Sequence, residues 1–134
     1  MPTTAAILIV GDDPWMLRTL RSLLAEQNWQ VHEAENGKIA LERIRQVNPD
    51  VVVLDIVMPE MNGVDTAYEI GQMAPAPKVV FISNDYTFEE GTVIAHLYGD
   101  GHFVPKAGIG KELVPMINRL LGKKGERGKA AGSG

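Results

Sequence analysis

Six consecutive apolar residues, Ala5-Ala6-Ile7-Leu8-Ile9-Val10, open the patterned part of the chain, and four more, Val51-Val52-Val53-Leu54, lead into Asp55. Unbroken apolar runs rich in β-branched residues predict strands covered on both faces, as in parallel sheets. Lys78-Val79-Val80-Phe81-Ile82 is a third such run, ending at Ser83-Asn84. Two weaker ones are Trp29–Ala34, whose apolar content is Val31 and Ala34, and His102-Phe103-Val104. Helical spacing fills the intervals. Leu17, Leu20, Leu23 and Leu24 trace one face over Pro14–Gln27, with Asp13 as N-cap and Pro14 at the first helical position. Ala40, Leu41, Ile44 and Val47 trace another after the Asn36-Gly37 turn, stopped by Asn48-Pro49-Asp50. Val64–Met73 is a weaker helical pattern closed by Ala74-Pro75-Ala76-Pro77. Phe88–Tyr98 is a further helix, weakened by Gly91 and its β-branched neighbours. Leu113, Met116, Ile117, Leu120 and Leu121 mark a strong final helix, with Pro115 expected near its first turn or else kinking it.

Strands alternating with helices over short connections predict an α/β fold. Its sheet is parallel, with right-handed crossovers and helices on both faces. Composition leaves this picture in place: 134 residues, 45% hydrophobic and 22% charged, suit one soluble domain with a real core. The lack of cysteine excludes a disulfide framework and a thiolate metal site. Met1–Thr4 has no basic leader and Ala5–Val10 is too short to cross a bilayer, so a cytoplasmic location with no membrane partner is the expectation.

Charge changes the picture more. Of a net −4, residues Gly122–Gly134 carry +3, from Lys123, Lys124, Arg127 and Lys129 against Glu126, which leaves −7 on residues 1–121. An acidic body argues against direct nucleic-acid binding and suits an electropositive partner or a bound cation. Residues 1–121 read as one domain. Residues 122–134, rich in Gly and Lys without an apolar anchor, read as a flexible segment: a linker, a native tail or an expression remnant.

Polar residues follow four of the strands, at the end where open α/β sheets bind ligands. The first strand leads to Asp12 and Asp13, the third to Asp55, the fourth to Ser83 and the fifth to Lys106. Three carboxylates in one pocket repel one another unless something positive sits among them. Hard oxygen donors in that number suit Mg²⁺. An ammonium and a hydroxyl are what an anionic phosphoryl group would want. Together they form a phosphoryl-transfer set with Asp55 as the carboxylate nucleophile. Each residue alone has a plainer use: Asp13 as a helix cap, Ser83 as a cap for the next helix, Lys106 as a solvated loop lysine, Phe103 as a core aromatic. His32, His96 and His102 show no ligand spacing, and Met58, Met61 and Met73 read as loop and core filler.

With Met58-Pro59 and Asn62-Gly63 after Asp55, and Phe103 three residues ahead of Lys106, the chain from about residue 5 to 121 resembles the receiver domains of response regulators, the CheY-like family. The resemblance implies a doubly wound (βα)5 three-layer sandwich of flavodoxin-like type, with a five-stranded parallel sheet of order 2-1-3-4-5. It implies that Asp55 accepts a phosphoryl group from a histidine kinase, a histidine phosphotransfer protein or a small phosphodonor. Asp13, Asp55 and the main-chain carbonyl of Val57 would bind Mg²⁺, with Asp12 helping through water. Lys106 would pair with the phosphoryl group and Ser83 hydrogen-bond to it. Phe103 would pack inward as Ser83 is drawn toward the phosphate. The signal would leave through the fourth helix, fifth strand and last helix, about residues 88–121, toward an unidentified protein target or a phosphorylation-dependent homodimer. The chain is then a signalling module and not an enzyme acting on an outside substrate.

The chain departs from the family at Ala107, where Pro usually follows the lysine through a cis bond, so a looser loop is expected there. The switch aromatic is Phe103 in place of Tyr. Val57 and Asp85 stand where the resemblance places residues tuning phosphoryl lifetime. Two other readings are weaker. A pseudo-receiver used only for protein interaction has no need of Asp13, Asp55, Ser83 and Lys106 together. A Mg²⁺-dependent aspartyl phosphatase puts its nucleophile on the first strand and usually adds a cap, for which 134 residues leave no room.

Overall fold

The computed structural model describes residues 4–59 and 61–122. Strands and helices alternate as β1 (Ala6–Val10), α1 (Pro14–Ala25), β2 (Gln30–Ala34), α2 (Gly37–Val47), β3 (Val51–Asp55), α3 (Gly63–Gly71), β4 (Lys78–Ser83), α4 (Phe88–Tyr98), β5 (Phe103–Pro105) and α5 (Ile109–Leu121). All strand pairs are parallel and the sheet order is β2-β1-β3-β4-β5. The fold class and the strand order both stand as expected. All of β1 and β3 is buried, as their unbroken apolar runs require.

Alternation along each strand divides the core in two. Ile7, Ile9, Val51, Val53, Val80, Ile82 and Val104 face α1 and α5, meeting Leu17, Leu20, Leu24, Ile109, Leu113 and Ile117. Leu8, Val10, Val52, Leu54, Phe81 and Phe103 face the other way, onto Ala40 and Ile44 of α2, Ala67 and Ile70 of α3, and Ala95 of α4. Neither set is complete without its helices, so the sheet is held from both sides.

Local signals start the helices. Asp13 caps α1, its Oδ1 accepting from the Trp15 amide at 2.9 Å with Pro14 in the first turn. Asn36 and Asn62 cap α2 and α3 through side-chain oxygens accepting at 2.8 Å from Ile39 and 2.9 Å from Asp65. Thr87 and Glu90 form a reciprocal capping box on α4. Each cap satisfies amide donors that have no partner inside the helix.

The C-terminal part differs from the expectation. α5 begins at Ile109, not near Leu113, so Pro115 lies in its interior and not near its first turn. Ile109, Leu113, Ile117 and Leu121 form the buried row of that helix, and the flanking Gly108 and Gly110 obscured its first member. Pro115 faces solvent, where the carbonyl it leaves without a helical donor can be hydrated. β5 holds only Phe103–Pro105, excluding His102, and β2 starts after Trp29. Pro105 is tolerated because β5 is an edge strand. The segment containing Ala107 is a 3-10 turn, Lys106–Gly108, closed by the Ile109 amide donating to the Lys106 carbonyl. The segment beyond Gly122 read as a tail lies outside the described residues. Among the described residues no helix is long and apolar enough to cross a membrane.

Candidate functional site

Asp55 is the last residue of β3, so the buried strand delivers its carboxylate to the C-terminal edge of the sheet. The residue is only 3% exposed. Lys106 follows β5, on the far side of β4, and its Nζ reaches across to donate to Asp55 Oδ2 at 2.6 Å. The Val57 amide donates to Asp55 Oδ1 at 3.1 Å. Both carboxylate oxygens are therefore oriented, one by an ammonium and one by a main-chain N–H. Burial pushes the Asp55 carboxyl above its ordinary value; the hydrogen bond and charge of Lys106 and the Val57 amide pull it back in part, while Asp12 pushes it up again.

Ser83 ends β4, whose penultimate residue Ile82 is paired with Asp55. Its side chain is buried, and Oγ accepts from the Asp85 amide at 3.0 Å. The α4 cap is Thr87 and not Ser83, which removes the plainest alternative use of that hydroxyl. Asp12 and Asp13 follow β1 and are exposed. Asp13 does serve as a helix cap, with one oxygen on the Trp15 amide. Asp12 is near enough for its charge to bear on Asp55.

Among the described residues, no three acidic or imidazole side chains converge closely enough to hold a metal ion by themselves. Any cation here would depend on main-chain and water ligands as well, which is how Mg²⁺ is usually held. The donors present suit it: they are carboxylates and a carbonyl, with two of the carboxylates open to water. The repulsion between Asp12 and Asp55 is what a cation would relieve. The chemistry of these oxygens is the kind Mg²⁺ takes, and the residues expected to hold it are Asp12, Asp13, Asp55 and the Val57 carbonyl.

Phe103 lies in the core cluster beneath α4. It pairs with Phe81, two residues before Ser83, and its ring is already buried while the Ser83 hydroxyl rests on Asp85. His32 sits on β2 and His102 ahead of β5, away from the carboxylates. Burial lowers the pKa of both.

The sequence pattern marked Asn62-Gly63 as part of a loop without showing what the glycine does. A Cβ on Gly63 would collide with the Asp55 carbonyl oxygen and stand 2.7 Å from Ile56 Cα. The Gly63 amide donates to the Ile56 carbonyl at 2.8 Å. Gly63 thus lies tight against the end of β3, and only a residue without a side chain fits that approach.

Comparison with known proteins bears on the family and the fold. The family model described as the response regulator receiver domain matches residues 7–118. A protein-glutamate methylesterase/protein-glutamine glutaminase of Geobacillus kaustophilus is 35% identical over 124 residues, covering 90% of this chain and 36% of that protein. The chain spans about a third of the length of such methylesterase relatives. Chemotaxis protein CheY of Thermotoga maritima is 38% identical over 78 residues, covering 58% of this chain and 65% of that one. Among solved structures, the response regulator TrrA of Thermotoga maritima in complex with Mg(2+)-BeF superposes with a TM-score of 0.78 at 30% identity, over 88% of this chain and all of that one. A CheY-like receiver domain from Methanospirillum hungatei gives a TM-score of 0.81 at 21% identity, over 93% of this chain and 99% of that one, which shows the fold. Sheet order, strand-end residues and family match coincide, and the chain belongs to the response regulator receiver domain family of two-component signalling.

Proposed function

We propose that Asp55 is the phosphoryl acceptor of this receiver domain. The observation that carries the reading is the buried Asp55 carboxylate held by the Lys106 ammonium at 2.6 Å on the ligand-binding edge of the sheet. A bare strand-end acid would have gone to solvent. Lys106 favours the ionised carboxylate against the larger opposing effect of burial, and an ionised oxygen is the form that can attack phosphorus. The attack forms the Asp55 O–P bond as the P–N bond of a phosphohistidine donor breaks. The bonding pair leaves with the imidazole, and the product is an acyl phosphate. Lys106 then turns from the carboxylate to the transferred group, and Ser83 exchanges its Asp85 contact for a phosphoryl oxygen. Mg²⁺, when bound, offsets the charge the incoming group brings.

The partner on the input side is a histidine kinase or a histidine phosphotransfer protein. On the output side α4 is the surface to be read, because Phe88, Val93, Leu97 and Tyr98 all stand exposed on it, Leu97 by 70%. A helix apolar on several sides is incompletely partnered. The target on that surface is another protein, or a second copy on phosphorylation.

The test is incubation with Mg²⁺ and acetyl phosphate, followed by intact mass, with Trp15 fluorescence tracking beryllium fluoride binding. A single phosphoryl adduct that EDTA prevents and Asp55→Asn abolishes is expected. No response in the wild type would make the chain a pseudo-receiver, and an adduct persisting in Asp55→Asn would place the acceptor elsewhere.

A further inference from the structure

α4 lies on the sheet through small residues: Gly91 and Ala95 are its fully buried positions. The Phe103 ring occupies the space that a side chain at 91 would fill. A Cβ on Gly91 would collide with Phe103 Cζ and Cε2 and stand 2.5 Å from Cδ2. The ring is 2% exposed and belongs to the cluster formed by Leu54, Phe81 and Ala95. Having no hydroxyl, it would find no hydrogen bond on swinging out, and it would leave a void against bare helix backbone. It is buried here although the Ser83 hydroxyl is turned to Asp85, so burial of the ring does not wait on Ser83.

We propose that Gly91 is a positioning residue: its missing side chain makes a socket for Phe103, and the ring acts as a fixed pin that seats α4 on the sheet in both signalling states. The moving part is then the segment from Ser83 to Thr87 together with the first turn of α4, which carries the exposed Phe88. The second half of this inference rests on Asp55 being the phosphoryl acceptor. The Gly91–Phe103 dependence does not.

Two measurements test it. Labelling with 4-fluorophenylalanine gives three signals, since the chain holds Phe81, Phe88 and Phe103 alone, and each is assigned by a Leu substitution. On adding Mg²⁺ and beryllium fluoride, the Phe88 signal should shift while the Phe103 signal stays in place. A Phe103 signal that moves to a solvent-exposed position would overturn the pin. The second measurement is a double-mutant cycle. Gly→Ala inside a helix ordinarily stabilises, but Gly91→Ala should lower the melting temperature, and the same change in a Phe103→Val background, which has no atom beyond Cγ, should regain the ordinary sign. Stabilisation by Gly91→Ala with Phe103 present would sink the socket. Should beryllium fluoride move no signal at all, the Asp55 reading fails, and the cycle still decides between Gly91 and Phe103.

Discussion

Asp55 and Lys106 are an unequal pair. The carboxylate side chain is 4% exposed and the ammonium side chain 14%, so the lysine keeps a way to water that the aspartate lacks. Burial outweighs the pairing and leaves the Asp55 pKa above 3.8 in the folded state. The folded protein therefore holds this proton to higher pH than the unfolded chain does, and above the folded pKa the ionised group costs stability. Asp55→Asn should then be more stable than the wild type at pH 7, by urea midpoint. The margin should shrink as pH falls through the folded pKa, and vanish near pH 3.8. A wild type that is the more stable at pH 7 would mean that the lysine pairing exceeds the desolvation. This acid was legible in the sequence because a run of buried-type residues ended on it. The glycines were not. Gly63 and Gly91 matter for what approaches them, the Asp55 carbonyl and the Phe103 ring, and neither approach leaves a trace in local spacing.

At the scale of elements, the helix starts were legible wherever a short polar side chain preceded an apolar period, as Asp13 and Asn36 do. α5 shows where that reasoning stops. α4 is apolar on several sides and its period is faint, yet it spans the expected Phe88–Tyr98, started by the Thr87–Glu90 box. α5 has no side-chain cap at all, and its beginning is set by burial of Ile109 against the α1 side of the sheet. A helix defined by tertiary burial cannot be bounded from local chemistry. The box makes a prediction of its own. Thr87→Ala removes the acceptor for the Glu90 amide and should cost about 1 kcal/mol. Hydrogen exchange should speed up in the first turn of α4 and stay unchanged in β4. Faster exchange through all of α4 and β5 would instead show that the cap holds the whole element down.

For the whole molecule, the layer architecture was legible and the strand order was not, except through family resemblance. Strands covered on both faces accept any neighbour on hydrophobic grounds, so apolar runs predict a parallel sheet without ranking its pairings. What the order accomplishes is electrostatic. It places β1 and β3 side by side in the centre, so Asp12 and Asp55 meet at one edge of a body that formally carries −7 over residues 1–121. Folding thus concentrates like charge at the site, offset from within by Lys106. Mg²⁺ that binds only the folded arrangement must stabilise it by mass action, by roughly 2.7 kcal/mol at a hundred times its dissociation constant. Screening of the acidic body would also stabilise, but by ionic strength alone and without regard to any one residue. The two effects separate cleanly. At matched ionic strength, MgCl₂ should raise the melting temperature above that in NaCl, and the excess should largely disappear in Asp55→Asn, which removes a donor oxygen's charge at the centre of the set. An excess of equal size in the variant would assign the effect to the acidic surface and leave the strand-end carboxylates without a resident cation.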